Sequence, residues 1–482
     1  KELSENNIVT IQPDSLRILH NPLTGWVLYA SMGVDAADFW AQYDHMYIPE
    51  LGHNVSVTDY AHTLYIRASW TDFNPQEDVY GWKIDSNLRA YIEGAYQRNM
   101  RLAFRVVVDS RDKRTEFTPQ FVKDAGAKGF MNKGKWSPYS DDPVFQKYYT
   151  KFVKALAKDF NDPSKVEFID GFGLGKWGEY HTMIYSTGDD TPKKAVFNWV
   201  TDIYSQAFDK VPVVINYHRW IGAGKDWVDD EHFAADSEEM LEEAIKKGYS
   251  LRHDAFGMTT YYGSWERRFA KKYRNICPII MEGGWIVKSH NYWQDPRGYR
   301  KDSHEDVRRG EFDDSKEAHV NMMDFRFGDT KSWFKDAFDL VRRFLREGGY
   351  RLYPSEISLP LEVSKKTTPT IKHCWNNLGW GYCPTNIPQW NQRYKVAFAL
   401  LDDKNEVKKV FVDTQTDLST WLKNKPTTYN FDLTLKGVSV GAYKWAVGLV
   451  DTTKDNTIGL RMAVKNNLLD SGWVKLMDIT VK

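Results

Sequence analysis

Between residues 21 and 350 the chain alternates short apolar runs with amphipathic stretches. Eight runs have strand length and strand composition: Trp26–Ala30, Thr63–Ala68, Leu102–Val108, Val166–Gly173, Val211–Tyr217, Ala255–Tyr261, Pro278–Glu282 and His319–Phe325. Between them lie helical patterns. Ile84, Leu88, Tyr91, Ile92 and Ala95 recur at helical spacing and predict one buried stripe. Asp142 before Pro143 predicts a helix start, with Phe145, Tyr148, Tyr149, Phe152, Leu156 and Phe160 on its buried face. A last helix is predicted over 331–346, with Phe334, Phe338, Val341 and Leu345 inward and Gly348 and Gly349 ending it. Eight strands, each followed by a helix-sized segment, predict an α/β fold of the (β/α)8 barrel type.

After Tyr353 the period changes. Runs at Lys395–Leu401, Val407–Val412, Tyr429–Leu435, Ala442–Val450 and Val474–Val481 are separated by polar turns such as Asp402–Asn405. They predict an antiparallel β-sandwich. The expected division is an N-terminal extension over 1–20, a barrel over 21–353 and a sandwich over 354–482.

Composition narrows the function. Lys+Arg and Asp+Glu are equal at 65 each, which leaves no polycationic footprint for nucleic acid. No apolar run reaches the roughly 18 residues of a membrane span. Aromatic residues make up 15% of the chain, including 19 Trp, enough for a large core and for flat platforms against sugar rings. Of the three cysteines, Cys277 reads as a buried thiol. Cys374 and Cys383 are near enough to close a small loop, which would fit an oxidising compartment; the polar start of the chain suits a secreted, periplasmic or cell-surface protein. Trp375, Trp380 and Trp390 crowd the same region and suit either glycan binding or a bracing role. Oligomeric state is not legible.

A parallel barrel carries its active site at the C-terminal ends of its strands. There the fourth run leads into Gly175-Lys176-Trp177-Gly178-Glu179-Tyr180-His181, and the seventh ends in Glu282-Gly283-Gly284-Trp285. These strands lie roughly across the mouth from one another, so Glu179 and Glu282 can meet in one cleft. Two carboxylates across a cleft are what glycosidic cleavage requires: one protonates the leaving oxygen, the other attacks the anomeric carbon or activates water. Trp177 and Trp285 would wall the pair. Other strand ends supply candidate substrate contacts: Arg67, Trp70, Asn74, Arg105, Asp109, His181, Tyr217, His218, Tyr261 and Tyr262. The loops Asp109–Ser140 and Trp285–Lys301 would shape the mouth.

This arrangement resembles the large clan of retaining glycoside hydrolases with an acid/base on strand four and a nucleophile on strand seven, to which β-galactosidase-like barrels belong. The whole chain also looks like a bacterial barrel-plus-sandwich family of uncertain activity. Asn21-Pro22-Leu23-Thr24-Gly25-Trp26, Phe73-Asn74-Pro75 with Tyr80-Gly81-Trp82, and Trp177-Gly178-Glu179-Tyr180-His181 carry that likeness. The resemblance implies a carbohydrate substrate, Glu179 as acid/base, Glu282 as nucleophile and Arg67 beside the nucleophile. Many clan members carry Asn where this chain has Gly178. The Gly-x-x-Gly-Glu run is also similar to the acid segment of inverting β-amylases. An inverting hydrolase and a non-catalytic carbohydrate-binding barrel therefore stand as alternatives.

Two further patterns point away from other chemistry. Gly173-Leu-Gly175-Lys-Trp-Gly178 matches a dinucleotide fingerprint but opens no helix. Its glycines instead suit close backbone packing at the barrel rim. His181, His218 and His253 with Asp254 lack a ligand spacing. Neither a metal nor a cofactor is expected.

Overall fold

A computed structural model describes residues 6–225, 228–258, 261–286 and 304–482. They form two units: residues 25–342, and residues 6–24 together with 343–482.

The first unit is a closed barrel of eight strands, all paired in parallel. In chain order the strands are Gly25–Tyr29, Ala61–Ser69, Arg101–Val107, Val166–Asp170, Val213–Asn216, Ser250–Phe256, Ile279–Gly283 and Met322–Asp324. Almost every residue in them is buried, as expected when helices cover one face and barrel packing fills the other. Trp26 in strand one shows how the layers lock. Its ring stacks on Phe325 at 4.4 Å, and its indole N–H donates to the Val341 carbonyl at 2.9 Å.

The helix beginning at Pro143 forms for the reason given by sequence: Asp142 caps it, its carboxylate accepting the Phe145 N–H at 2.8 Å. Tyr148 is only partly buried there. In the helix Ser86–Gln97, Leu88, Tyr91, Ile92 and Ala95 are buried, but Ile84 lies outside it and is 61% exposed. Two helices, Arg326–Asp336 and Phe338–Glu347, replace the single one expected over 331–346, and Phe344 rather than Leu345 is buried.

The sixth strand departs most from expectation. It occupies Ser250–Phe256, not Ala255–Tyr261. Tyr261 and Tyr262 therefore lie beyond the strand, and Arg252, His253 and Asp254 lie within it.

The second unit contains two sheets. One pairs Asn6–Thr10, Leu352–Pro360, Thr370–Asn377 and Thr427–Asp432. The other pairs Glu362–Val363, Val474–Val481, Gly441–Asp451, Tyr394–Leu401 and Val407–Asp413, with Thr457–Leu460 on Gly441–Asp451. All pairings are antiparallel except Glu362–Val363 with the last strand. Ring contacts of Phe398 with His373 at 5.1 Å and Phe431 at 6.2 Å join the sheets as a sandwich. The stretch expected to be a separate N-terminal extension supplies an edge strand of this sandwich. Cys277, Cys374 and Cys383 are all free thiols, so the small loop is not closed by a disulfide. Trp375, Trp380 and Trp390 are buried and offer no face to a glycan.

Candidate active site

Strand four ends at Asp170, and the chain then runs through a cramped loop to Glu179. Gly173, Gly175 and Gly178 there have φ of 78°, 77° and 72°. A side chain on Gly173 would meet the Val106 carbonyl oxygen at 2.3 Å. At Gly178, where the resembled clan often has Asn, a Cβ would press on Arg105 and Val107 at 3.3 Å. The close backbone contact demands glycine at Gly173, and the positive φ favours it at Gly178. Trp177, Tyr180 and Thr182 also take positive φ, of 60°, 63° and 53°. Such strain persists only where surrounding structure enforces it.

That enforcement comes partly from two histidines. The His218 Nδ1 accepts the Trp220 backbone N–H at 3.1 Å, so its proton sits on Nε2 and is donated to the Glu179 carbonyl at 2.6 Å. Burial, aided by neighbouring His181, holds His218 well below its ordinary pKa and hence neutral. His181 Nε2 lies 2.9 Å from Glu179 Oε2, and its Nδ1 lies 3.0 Å from the Thr182 hydroxyl. With the Thr182 hydroxyl donating to Nδ1, His181 donates from Nε2 to Oε2. That leaves Glu179 Oε1 for a ligand.

Strand seven carries Glu282. Glu179 and Glu282 line one cavity of about 350 Å³ with Arg67, Trp177, Asp254, Met258, Tyr261, Trp285 and Arg326. This lies at the lower end of the roughly 300–1,000 Å³ usual for small-molecule sites.

Beneath the cavity lies a cluster of buried charge. Arg105 Nε bonds Asp170 at 3.1 Å, and its Nη2 bonds Asp254 at 2.5 Å. Arg252 Nη2 bonds Glu282 at 3.0 Å and Asp324 at 3.3 Å. Asn216 donates to Asp254 at 3.1 Å, and the Tyr65 hydroxyl donates to Asp170. Four carboxylates thus share two fully buried guanidiniums, with Arg67 nearby. Burial would raise Asp254, but Arg105 and Arg252 outweigh it and hold the carboxyl well below its usual range. Glu282 goes the other way. Burial, reinforced by the Asp254 charge, pushes it well above the ordinary glutamate value. Burial also lifts Asp324, to about 6.

Of the residues expected from sequence, Glu179, Glu282, Arg67, Trp177, Tyr261 and Trp285 come together in the cavity wall. His181 and His218 support Glu179 from behind. Others serve elsewhere. Trp70 is fully buried and packs on Phe145, Tyr149 and Phe152, while Asn74 accepts its indole N–H and donates to the Gln76 and Val79 carbonyls. Tyr217 and Tyr262 are buried and bond each other through their hydroxyls at 2.7 Å. Arg105 belongs to the charge cluster below the cavity. Asp109 is taken by Arg111, with Nη2 at 2.6 Å. The loop Asp109–Ser140 carries a hairpin of Gly129–Asn132 on Lys135–Pro138. The loop Trp285–Lys301 lies outside the described residues beyond Ile286. Sequence reasoning missed Asp254, Met258 and Arg326 in the wall, and Asp170, Arg252 and Asp324 below it.

Among the described residues no group of three or more His, Cys, Asp or Glu gathers as a metal site. No described helix is long and apolar enough to cross a membrane.

No protein-family model matches the chain, and no curated protein does. Solved structures with a similar fold include endo-glycoceramidase II from a Rhodococcus species, described as a lactosyl-enzyme intermediate. It is 11% identical with a TM-score of 0.40, covering 86% of this chain and 99% of that one. A GH30 endoxylanase from Clostridium papyrosolvens is 9% identical, with a TM-score of 0.39 over 88% of this chain and 95% of its own. A Pseudomonas stutzeri endoglucanase is 10% identical, with a TM-score of 0.41 over 67% and 94%. These likenesses are loose.

Proposed function

We propose that this chain is a glycoside hydrolase that cleaves with retention, using Glu179 as acid/base and Glu282 as nucleophile. One observation carries the reading: the two glutamates, from strands four and seven, line a single cavity walled by tryptophan. Glu179 delivers a proton from Oε1 to the departing glycosidic oxygen while His181 fixes Oε2. Glu282 attacks the anomeric carbon, and the C–O bond to the leaving group breaks as the glycosyl ester forms. Glu179, now a carboxylate, takes a proton from water, which attacks the anomeric carbon. The ester bond to Glu282 then breaks and the carboxylate returns. Arg252 steadies Glu282 in its charged form, and Trp177 and Trp285 offer faces to the sugar ring.

The test is hydrolysis of an aryl glycoside panel across a pH range. Glu282 must be ionised to attack, and its pKa is raised, so the ionised fraction falls as pH drops through that raised value. The acid limb of kcat/KM is expected well above the ordinary glutamate pKa of 4.5. A limb at or below that value would show that Arg252 keeps Glu282 ionised despite its burial, and full activity in Glu282→Gln would contradict Glu282 as nucleophile. Binding without turnover across the panel would favour the carbohydrate-binding alternative.

A further inference from the structure

The hold on Glu179 does not end at His181. Thr182, whose hydroxyl meets His181 Nδ1, is a β-branched residue at φ 53°, a conformation such a residue takes only under external hold. Its carbonyl accepts from Arg111 Nη2 at 2.5 Å. Arg111 comes from the loop after strand three and is itself fixed. Its Nε and Nη2 donate to Asp109 at 3.0 Å and 2.6 Å, and its backbone N–H donates to the same carboxylate at 2.9 Å. The hairpin that follows closes over the pair: the guanidinium lies 5.3 Å from the Phe130 ring centroid, and the Ser137 hydroxyl reaches Asp109 at 3.4 Å. Asp109 and Arg111 are both buried, and neither is among the described residues of the cavity wall. A second tie between the two loops, Lys176 to Asp112 at 2.8 Å, is partly exposed and adds little. Backbone bonds brace the rest of the segment: the Lys176 N–H donates to the His181 carbonyl at 3.1 Å, and the Tyr180 N–H to the Leu174 carbonyl at 2.9 Å. Such bonds fix the backbone but do not set the rotation of the imidazole.

We propose that Arg111 and Thr182 are positioning residues for the acid/base: Arg111 pins Thr182, and Thr182 holds the His181 ring so that Nε2 meets Oε2 of Glu179 and Oε1 is left to face the departing oxygen. The proposal rests on the hydrolase reading for what Glu179 does. Asp109 then acts through Arg111, as its counter-charge, and not by touching sugar. A guanidinium suits the task because its planar fork bonds a carboxylate and a carbonyl at once, which the compact ammonium of lysine does not match. The precision matters because a shift of about 1 Å caused away from the reacting atoms can cost about 10²-fold in rate.

The experiment compares Thr182→Val, Thr182→Ser and Arg111→Lys with wild type on phenyl and dinitrophenyl glycosides of the sugar that wild type cleaves. Phenolate needs a proton to leave, and dinitrophenolate does not. Thr182→Val and Arg111→Lys are expected to lower kcat/KM on the phenyl glycoside about tenfold, one hydrogen bond's share, and on the dinitrophenyl glycoside several-fold less. Thr182→Ser restores the hydroxyl and should recover most of the loss. Equal losses on both substrates, or the same loss in Thr182→Ser as in Thr182→Val, would overturn the proposal and leave the hydrolase reading standing. NMR of protein carrying isotope-labelled histidine gives a readout without turnover. The His181 ring N–H, identified by its absence in His181→Gln, should exchange slowly with solvent in wild type and roughly tenfold faster in Thr182→Val and Arg111→Lys, by the same lost bond. If wild type cleaves nothing, the hydrolase reading fails and the exchange rate decides alone. Faster exchange in the variants supports the hold on His181, and unchanged exchange overturns it.

Discussion

Glu282→Gln is expected to reduce turnover of every glycoside by about 10⁴-fold or more, because Asp254, the other carboxylate in the wall beside Glu179, is tied to Arg105 and Asn216. Glu179→Gln should behave differently. It removes the proton donor, so substrates with poor leaving groups suffer a loss of about 10²–10⁴-fold in the first step, while activated aryl glycosides are spared there. Steady-state kinetics on a leaving-group series, with both variants checked for folding by circular dichroism, separates the roles. Equal losses for both variants on all leaving groups would contradict the assignment. The variants also probe the floor: Glu282→Gln removes one of four acidic groups around Arg105 and Arg252, and the fold should tolerate it.

Arg105→Met is expected to destabilise the protein by about 3–5 kcal/mol at neutral pH, since it removes the guanidinium bonded to the buried Asp170 and Asp254 and leaves them only the more distant Arg252 as a cation. The cost should shrink as pH falls and Asp254, no longer held down by Arg105, takes up a proton. Urea denaturation at several pH values measures it. A loss under about 1 kcal/mol, or one independent of pH, would show that the floor charges are not interdependent in this way. Arg105→Lys should fall between, because an ammonium lacks the fork that reaches two carboxylates at once.

The barrel was legible because seven of its eight strands are apolar runs of the right length, and the helices between them carry clear stripes. The sixth failed for a physical reason. Ser250–Phe256 places Arg252, His253 and Asp254 inside a strand whose every residue is buried, so the polar half reads as loop and the apolar run after it reads as strand. Buried charges that pair across strands break the hydrophobic pattern where the function lies. The same failure hid Asp254, and with it the floor of the site. Glu179 and Glu282 were legible because strand ends, glycines and tryptophans flag them locally. Arg326 was hidden because nothing adjacent marks it; its placement depends on the backbone kink at Phe327 and Gly328. Trp70 and Asn74 were drawn into the site by position at a strand end, yet the four-residue helix Trp70–Phe73 turns the Trp70 ring into the core. Pattern locates strand ends well, but which side of the end a ring faces depends on the loop that follows.

The central claim is that Glu282 forms a covalent bond to the sugar in a cavity shared with Glu179. Mass spectrometry of peptides from enzyme inactivated with a two-fluoro glycoside of the preferred sugar tests it most directly. The account predicts the sugar's mass on the peptide carrying Glu282, in wild type and not in Glu282→Gln. A label on Asp254, or continued turnover with no labelled peptide and an inverted anomeric product, would contradict it.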